Sequence, residues 1–158
     1  HADRVRIACL AQLVNVIAPI MTNSTGLFRQ TTYYPYVWAL QCARGDVLDL
    51  AVESPTYEVK GKGQIPYLDV AATMDGKTFS LFILNRDLVK PHDVEIIWRE
   101  ASPERVLFSQ VLTGADLRAC NSFEDPKKVA PQPFEPPKSG TKTEIQVPAR
   151  SYTVIQFR

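Results

Sequence analysis

The sequence predicts a mainly β protein: an antiparallel β-sandwich over residues 46–158, preceded over residues 1–45 by a single β/α unit of the parallel kind. Three observations carry this reading. A short, nearly unbroken apolar run opens the chain, then gives way to a loop and a segment of helical period. From Asp46 the apolar period changes to two. Asp75-Gly76 then separates two strand-like runs, as a hairpin turn does.

The run Val5-Arg6-Ile7-Ala8-Cys9-Leu10-Ala11-Gln12-Leu13-Val14 reads as a strand buried on both faces, as in parallel sheets. Parallel strands need sister strands joined by crossovers, and no second β-α-β unit follows. The reading therefore expects the chain to be part of a larger protein. Asn15 to Arg29 holds Pro19, Asn23, Ser24 and Gly26 and reads as a long loop. Gln30 to Ala43 reads as a helix starting near Thr32 to Tyr34, because Pro35 is tolerated only in a first turn. Tyr33, Tyr36, Val37 and Leu40 share one predicted apolar face. Arg44 suits the C-terminal dipole and Gly45 the position after the helix.

In the predicted sandwich, Leu48, Leu50 and Val52 alternate with Asp49, Ala51 and Glu53. Ile65 to Met74 and Thr78 to Asn85 flank the Asp75-Gly76 turn, expected to be type I′, and the second run is apolar on both faces and so belongs centrally. Asp93 to Arg99, Arg105 to Leu112, Thr143 to Val147 and Tyr152 to Phe157 bring the count to about seven strands. Pro126 to Pro148 holds six of the twelve prolines and reads as an extended surface loop.

Composition narrows the function. Over 158 residues, Lys+Arg 18 against Asp+Glu 17 leaves a net charge of +1, giving no electrostatic reason to expect nucleic acid or an anionic membrane as partner. No apolar stretch reaches the roughly 18 to 20 residues that span a bilayer. Cys9, Cys42 and Cys120 are odd in number and widely spaced, which fits a reducing, cytoplasmic compartment better than a disulfide scaffold. His1 and His92 lie far apart, so neither a metal site nor a cofactor is expected. Asn23-Ser24-Thr25 forms a glycosylation sequon that would matter only on a secretory route.

Catalytic signatures are sparse. The phosphate-binding glycine loops and GxSxG are absent. His92 reads as a solvated loop histidine, and Asp46, Asp49 and Glu53 as a solvated strand face. Asp69, in an apolar setting, reads as a ligand of backbone groups. The dense Tyr33, Tyr34, Tyr36 and Trp38 have helical spacing, and Trp98 strand spacing, which favour core packing over sugar stacking. No exposed aromatic row is evident on a polar strand face. Gln12 is the exception. It ends an apolar parallel-type strand just before a long loop, where the active sites of β/α barrels are built. A buried amide there must be satisfied, either by a ligand hydroxyl or by neighbouring backbone. Asn15 is a weaker candidate of the same kind.

The segment Ile7-Ala8-Cys9-Leu10-Ala11-Gln12-Leu13-Val14-Asn15-Val16-Ile17-Ala18-Pro19-Ile20, preceded by His1-Ala2-Asp3-Arg4-Val5, resembles the last barrel strand of family 51 α-L-arabinofuranosidases. The likeness continues at Arg29-Gln30-Thr31-Thr32-Tyr33-Tyr34-Pro35-Tyr36, Ser54-Pro55-Thr56-Tyr57 and Pro66-Tyr67-Leu68-Asp69-Val70-Ala71-Ala72-Thr73. Further blocks are Asn85-Arg86, Leu112-Thr113-Gly114-Ala115-Asp116-Leu117 and Asn121-Ser122-Phe123-Glu124-Asp125-Pro126.

The resemblance implies the final β/α unit of a (β/α)8 catalytic barrel over 1–45 and a jelly-roll-like sandwich over 46–158. It also implies a retaining glycosidase that removes terminal α-L-arabinofuranosyl residues from oligo- or polysaccharides. Its nucleophile and acid/base glutamates belong to earlier barrel strands, so this stretch alone is expected to be inactive. Gln12 matches a family glutamine that contacts the sugar. The implied partners are an arabinofuranosyl saccharide, the remainder of the barrel and further copies in a homo-oligomer. Related members with endoglucanase activity, and a non-catalytic carbohydrate-binding or structural sandwich, are the alternatives.

Overall fold

The computed structural model describes residues 3–5, 7–99, 102–135 and 142–158. Of the described residues 42% are in strands and 7% in a helix, so the fold is mainly β, as the two-residue period predicts. The predictions for Arg6, and for the stretch 136–141 within the proline-rich loop, fall outside the described residues.

The opening run does not form the predicted strand. Residues 7–13 have no strand pairing, and the one backbone bridge nearby is an isolated parallel contact of Val14 with Ile20. The physical reason is the one that made a lone parallel strand implausible: no neighbour among the described residues offers a ladder, and the run's large apolar side chains stay in solvent. The predicted loop instead contains a hairpin, β1 (Ile20–Thr22) and β2 (Leu27–Arg29), closed by an Asn23 side chain that accepts from Thr25 N and Gly26 N at 2.9 and 2.8 Å. This local Asx turn gives Asn23 a structural use.

Helix α1 (Tyr33–Cys42) starts where Pro35 requires, but it buries a different face from the one predicted. Tyr34, Trp38 and Cys42, at i, i+4 and i+8, are the buried residues, whereas Leu40 is 51% exposed. Counting apolar residues could not separate the faces, since aromatic and aliphatic residues lie on both; the surface that α1 meets decides. Trp38 stacks on Tyr152 at 6.0 Å and meets Phe108 edge-on, with Phe82 and Val154 beneath. Burial, with the nearby Cys42, pushes the Tyr152 phenol up to about 12, and burial raises the Cys42 thiol. Both groups stay neutral and serve packing.

Gly45 follows the helix with φ +75, and a Cβ there would lie 2.1 Å from the Met74 carbonyl oxygen. That close approach lets the short β3 (Asp46–Val47) pair with Met74 and Thr73. Gly45→Ala adds a left-handed backbone penalty to a backbone clash, and is expected to destabilise the fold by at least about 2 kcal/mol in urea unfolding. The ladder does not extend over the predicted 48–52; only Leu48 N continues it, to Ala72 O at 3.0 Å.

A separate hairpin follows, β4 (Thr56–Val59) and β5 (Gly63–Pro66). Next come β6 (Leu68–Asp75) and β7 (Thr78–Asn85), joined by Gly76-Lys77. Gly76 has positive φ and Lys77 does not, the pattern of a type II′ turn; the expected I′ turn needs two such residues. The remaining strands are β8 (His92–Ile97), β9 (Val106–Thr113), β10 (Gln132–Pro133), β11 (Lys142–Val147) and β12 (Ser151–Phe157).

An antiparallel six-stranded sheet runs β10-β9-β12-β7-β6-β3, while β11 and β8 pair in a second sheet. The main core joins Leu68, Ala72, Leu81, Ile83, Ile155 and Phe157 of the large sheet to Ile145 and Val147 of β11, with Val94, Ile96 and Trp98 packed against them. Trp98 meets Phe79 and Phe157 edge-on at 4.9 and 5.3 Å, and its Nε1 donates to Thr143 Oγ1 at 3.0 Å. Because strand side chains alternate, Phe82 and Val154 emerge on the opposite face, under α1. The central position read for 78–85 is thus explained: β7 lies between β12 and β6 and is covered on both faces.

Candidate functional site

Gln12 lies on the exposed opening segment with φ 56, in a backbone region that a regular strand does not use. Its neighbours Ile7, Leu13, Val16 and Ile17 are between 68% and 82% exposed. Gln12 lines neither the cleft bordered by Asp93, Glu95 and Gln146 nor the one bordered by Tyr67, Asp87 and His92. The structure therefore leaves its amide free of a structural task and in solvent.

Asn15 is used differently. Its Oδ1 accepts from Thr22 N at 2.7 Å and its Nδ2 donates to Thr22 Oγ1 at 3.0 Å, which fastens the segment after Gln12 to the hairpin. Gln30 adds a bond from Nε2 to Ala18 O at 2.7 Å. From the far side, Asn121 Nδ2 donates to Arg29 O and to Val129 O, each at 2.8 Å, while Phe123 meets Phe28 edge-on. The hairpin that follows Gln12 is thus tied to the segment after β9.

A second group of polar side chains gathers at the end of the large sheet where β7 finishes and β6 begins. Asn85 is 1% exposed; its Nδ2 donates to Pro148 O at 2.8 Å and to Val147 O at 3.3 Å, and its Oδ1 accepts from Asp87 N at 2.9 Å. Asp87 Oδ1 accepts from Val89 N and Lys90 N, each at 2.9 Å, and its Oδ2 lies 3.0 Å from His92 Nε2. The backbone bonds from Lys90 and Val89, then His92, hold the Asp87 carboxyl below its ordinary range. Its stabilising contribution is present above the usual Asp value near ~3.9 and fades as pH falls through the lowered one.

His92 is therefore not a solvated loop histidine. It begins β8, half-buried, and tilts onto the Tyr67 ring at 5.3 Å; Tyr67 in turn lies 4.8 Å from Tyr57. Beside this ladder of rings opens a cleft of about 440 Å³ lined by Pro55, Tyr67, Asp87, Val89, Lys90 and His92. Residue-by-residue reading missed it because Tyr57 comes from β4, Tyr67 from the link between β5 and β6, and His92 from β8. The five-residue step from Asp87 to His92, across a turn rich in Asx-type acceptors, was the available signal.

Asp69 does not bind backbone groups. It is exposed and forms an ion pair with Arg86, whose other terminal nitrogen donates to Pro66 O at 3.2 Å. Asp46, Asp49 and Glu53 are exposed, as their reading as a solvated face requires. Cys9 and Cys120 are exposed thiols, and among the described residues no group of three or more His, Cys, Asp or Glu could hold a metal ion. No helix among them is long and apolar enough to cross a membrane.

The two packed sheets and the helix over the larger one define a β-sandwich domain with a covering helix. The α-L-arabinofuranosidase C-terminal domain family matches residues 1–151, and the chain belongs to this family, as the C-terminal part of a family 51 glycoside hydrolase. An intracellular exo-α-(1→5)-L-arabinofuranosidase from Streptomyces lividans is 39% identical over 137 residues, 85% of this chain and 21% of the relative. An exo-α-(1→6)-L-arabinofuranosidase from Bifidobacterium longum is 37% identical over 164 residues, 100% of this chain and 31% of the relative. A family 51 α-L-arabinofuranosidase structure from Bifidobacterium longum superimposes with a TM-score of 0.90 at 36% identity, covering 100% of this chain and 32% of that one. The chain thus spans between a fifth and a third of the length of these relatives, and in such enzymes this domain alone is not catalytic.

Proposed function

We propose that the chain works as the C-terminal portion of a retaining, exo-acting α-L-arabinofuranosidase that releases terminal non-reducing arabinofuranosyl residues from arabinan- or arabinoxylan-type saccharides. Residues 1–45 are the last strand, loop and helix of its (β/α)8 barrel, and residues 46–158 a jelly-roll-like sandwich that buttresses it. The observation that carries this reading is the opening segment: several large aliphatic side chains are held in solvent around an unpartnered glutamine. Barrel staves are buried on both faces, so neighbouring staves would remove this apolar surface from water and turn Gln12 toward the sugar.

The names of the relatives, intracellular among them, support a cytoplasmic enzyme and leave two linkages in view, (1→5) and (1→6). The bonding partners are the saccharide, the rest of the barrel and further copies in a homo-oligomer. Proton NMR of arabinan digestion by the full-length enzyme tests the chemistry. The first-formed arabinose is expected to keep the substrate's anomeric configuration, as a two-step displacement through a covalent glycosyl-enzyme requires. Initial release of the opposite anomer, or cleavage inside the polymer without release of arabinose, would sink the proposal.

A further inference from the structure

We propose that the cleft beside the Tyr57–Tyr67–His92 ring ladder is an auxiliary subsite for the chain of a polymeric arabinofuranosyl substrate, an inference that rests on the glycosidase reading above. The chemistry of its lining selects a neutral polyhydroxylated ligand. Tyr67, Pro55 and Val89 supply apolar surface of the sort that takes the C–H faces of sugar rings, and Lys90, His92 and Asp87 place a donor and acceptors at the same opening. The Asp87 carboxylate in the lining opposes an anion, while Lys90 opposes a cation. A volume of about 440 Å³ falls within the ~300–1,000 Å³ typical of small-ligand clefts.

The site is built before any ligand arrives. The Asp87 carboxylate fixes the Val89 and Lys90 backbone, Asn85 fixes Asp87, and Arg150 Nη1 donates to Leu88 O. These bonds hold Leu88 and Val89, 55% and 79% exposed, in one pose instead of letting them collapse onto the sheet. Preorganisation of this kind reduces the entropy lost on binding. Register also places the cleft at a useful end of the sandwich. Leu68, Asn85, Ser151 and Thr113 align across four strands, and Thr113 leads into the segment whose Asn121 grips the hairpin following Gln12. The sheet end that carries the ring ladder is thus also the end where β9 passes into the segment that holds the hairpin after Gln12.

The test compares Tyr67→Ala and Lys90→Gln in the full-length enzyme on linear arabinan and on a small aryl α-L-arabinofuranoside. Retention in arabinan-containing native gels is a second readout. Tyr67→Ala is expected to raise KM for arabinan about three- to tenfold and to lose gel retention, with aryl-substrate kinetics unchanged. Lys90→Gln, on an exposed rim that no folding defect would explain, is expected to raise it about twofold. Unchanged arabinan KM and retention in both variants overturns the subsite, and so does an equal loss on both substrates, or a change of native mass without a change in arabinan affinity. A wild-type enzyme that retains arabinan but cleaves no arabinofuranoside refutes the glycosidase reading and leaves the subsite standing.

Discussion

Gln12→Ala in the full-length enzyme is expected to lower kcat/KM on an aryl arabinofuranoside roughly a hundredfold while leaving the melting temperature unchanged. The two halves of this expectation have separate grounds. In this chain Gln12 is exposed and fastens nothing; Asn15, Gln30 and Asn121 hold the neighbouring hairpin. Removing its amide therefore deletes no contact on which the sandwich depends. Proposed as a pocket-lining group, the amide holds sugar hydroxyls and so places the anomeric carbon for attack, and losing it misplaces the reacting atoms. Gln12→Glu keeps the acceptor and loses both donors, so it should recover little. Wild-type kinetics for Gln12→Ala would remove the residue from the site, and a fall in melting temperature that matches the loss of activity would reassign it to the fold.

How far the sequence foretold this molecule depends on where each signal originates. The strands β7, β8, β11 and β12 stood out because their alternation is set by burial within the chain, and the structure places them within a residue or two of the predicted spans. Residues 5–14 read as a strand for the same reason, yet 7–13 form none, since their apolar side chains find no ladder among the described residues. The face of α1 was misassigned since period alone does not tell which of two apolar stripes meets a sheet. The ring ladder was hidden for a third reason: Tyr57 on β4, Tyr67 between β5 and β6, and His92 at the start of β8 converge in space without a shared spacing, and only the five-residue step from Asp87 to His92 left a signal in the sequence. Gln12 came from the opposite direction, as a polar residue that local packing had no reason to choose.

Asn85→Ala carries the largest expected effect on stability, about 3 kcal/mol, or a fall in melting temperature of roughly 6–12 °C. Asn85 is buried at the junction of β7, the Arg86–Pro91 turn and the Pro148 end of β11, and its amide serves all three. Alanine takes the partner from the Asp87 N–H and one of two donors from the Pro148 carbonyl, which keeps Ser151 Oγ at 2.6 Å, and a buried unpaired N–H is penalised by its full desolvation. Asn85→Asp separates this account from a simple packing defect, because the side-chain volume is kept. Its ionised carboxylate would face the Val147 and Pro148 carbonyl oxygens and lack the donors that Asn85 gives them, so this variant should be no more stable than Asn85→Ala at neutral pH. Burial among acceptors favours the protonated acid, which can donate one hydrogen bond, so part of its stability relative to the wild type should return as the pH is lowered. The same gap at every pH would mean that shape, not hydrogen bonding, is what Asn85 supplies. Recovery in acid would place the loop that carries Asp87, and with it the proposed arabinan cleft, under the control of one buried amide.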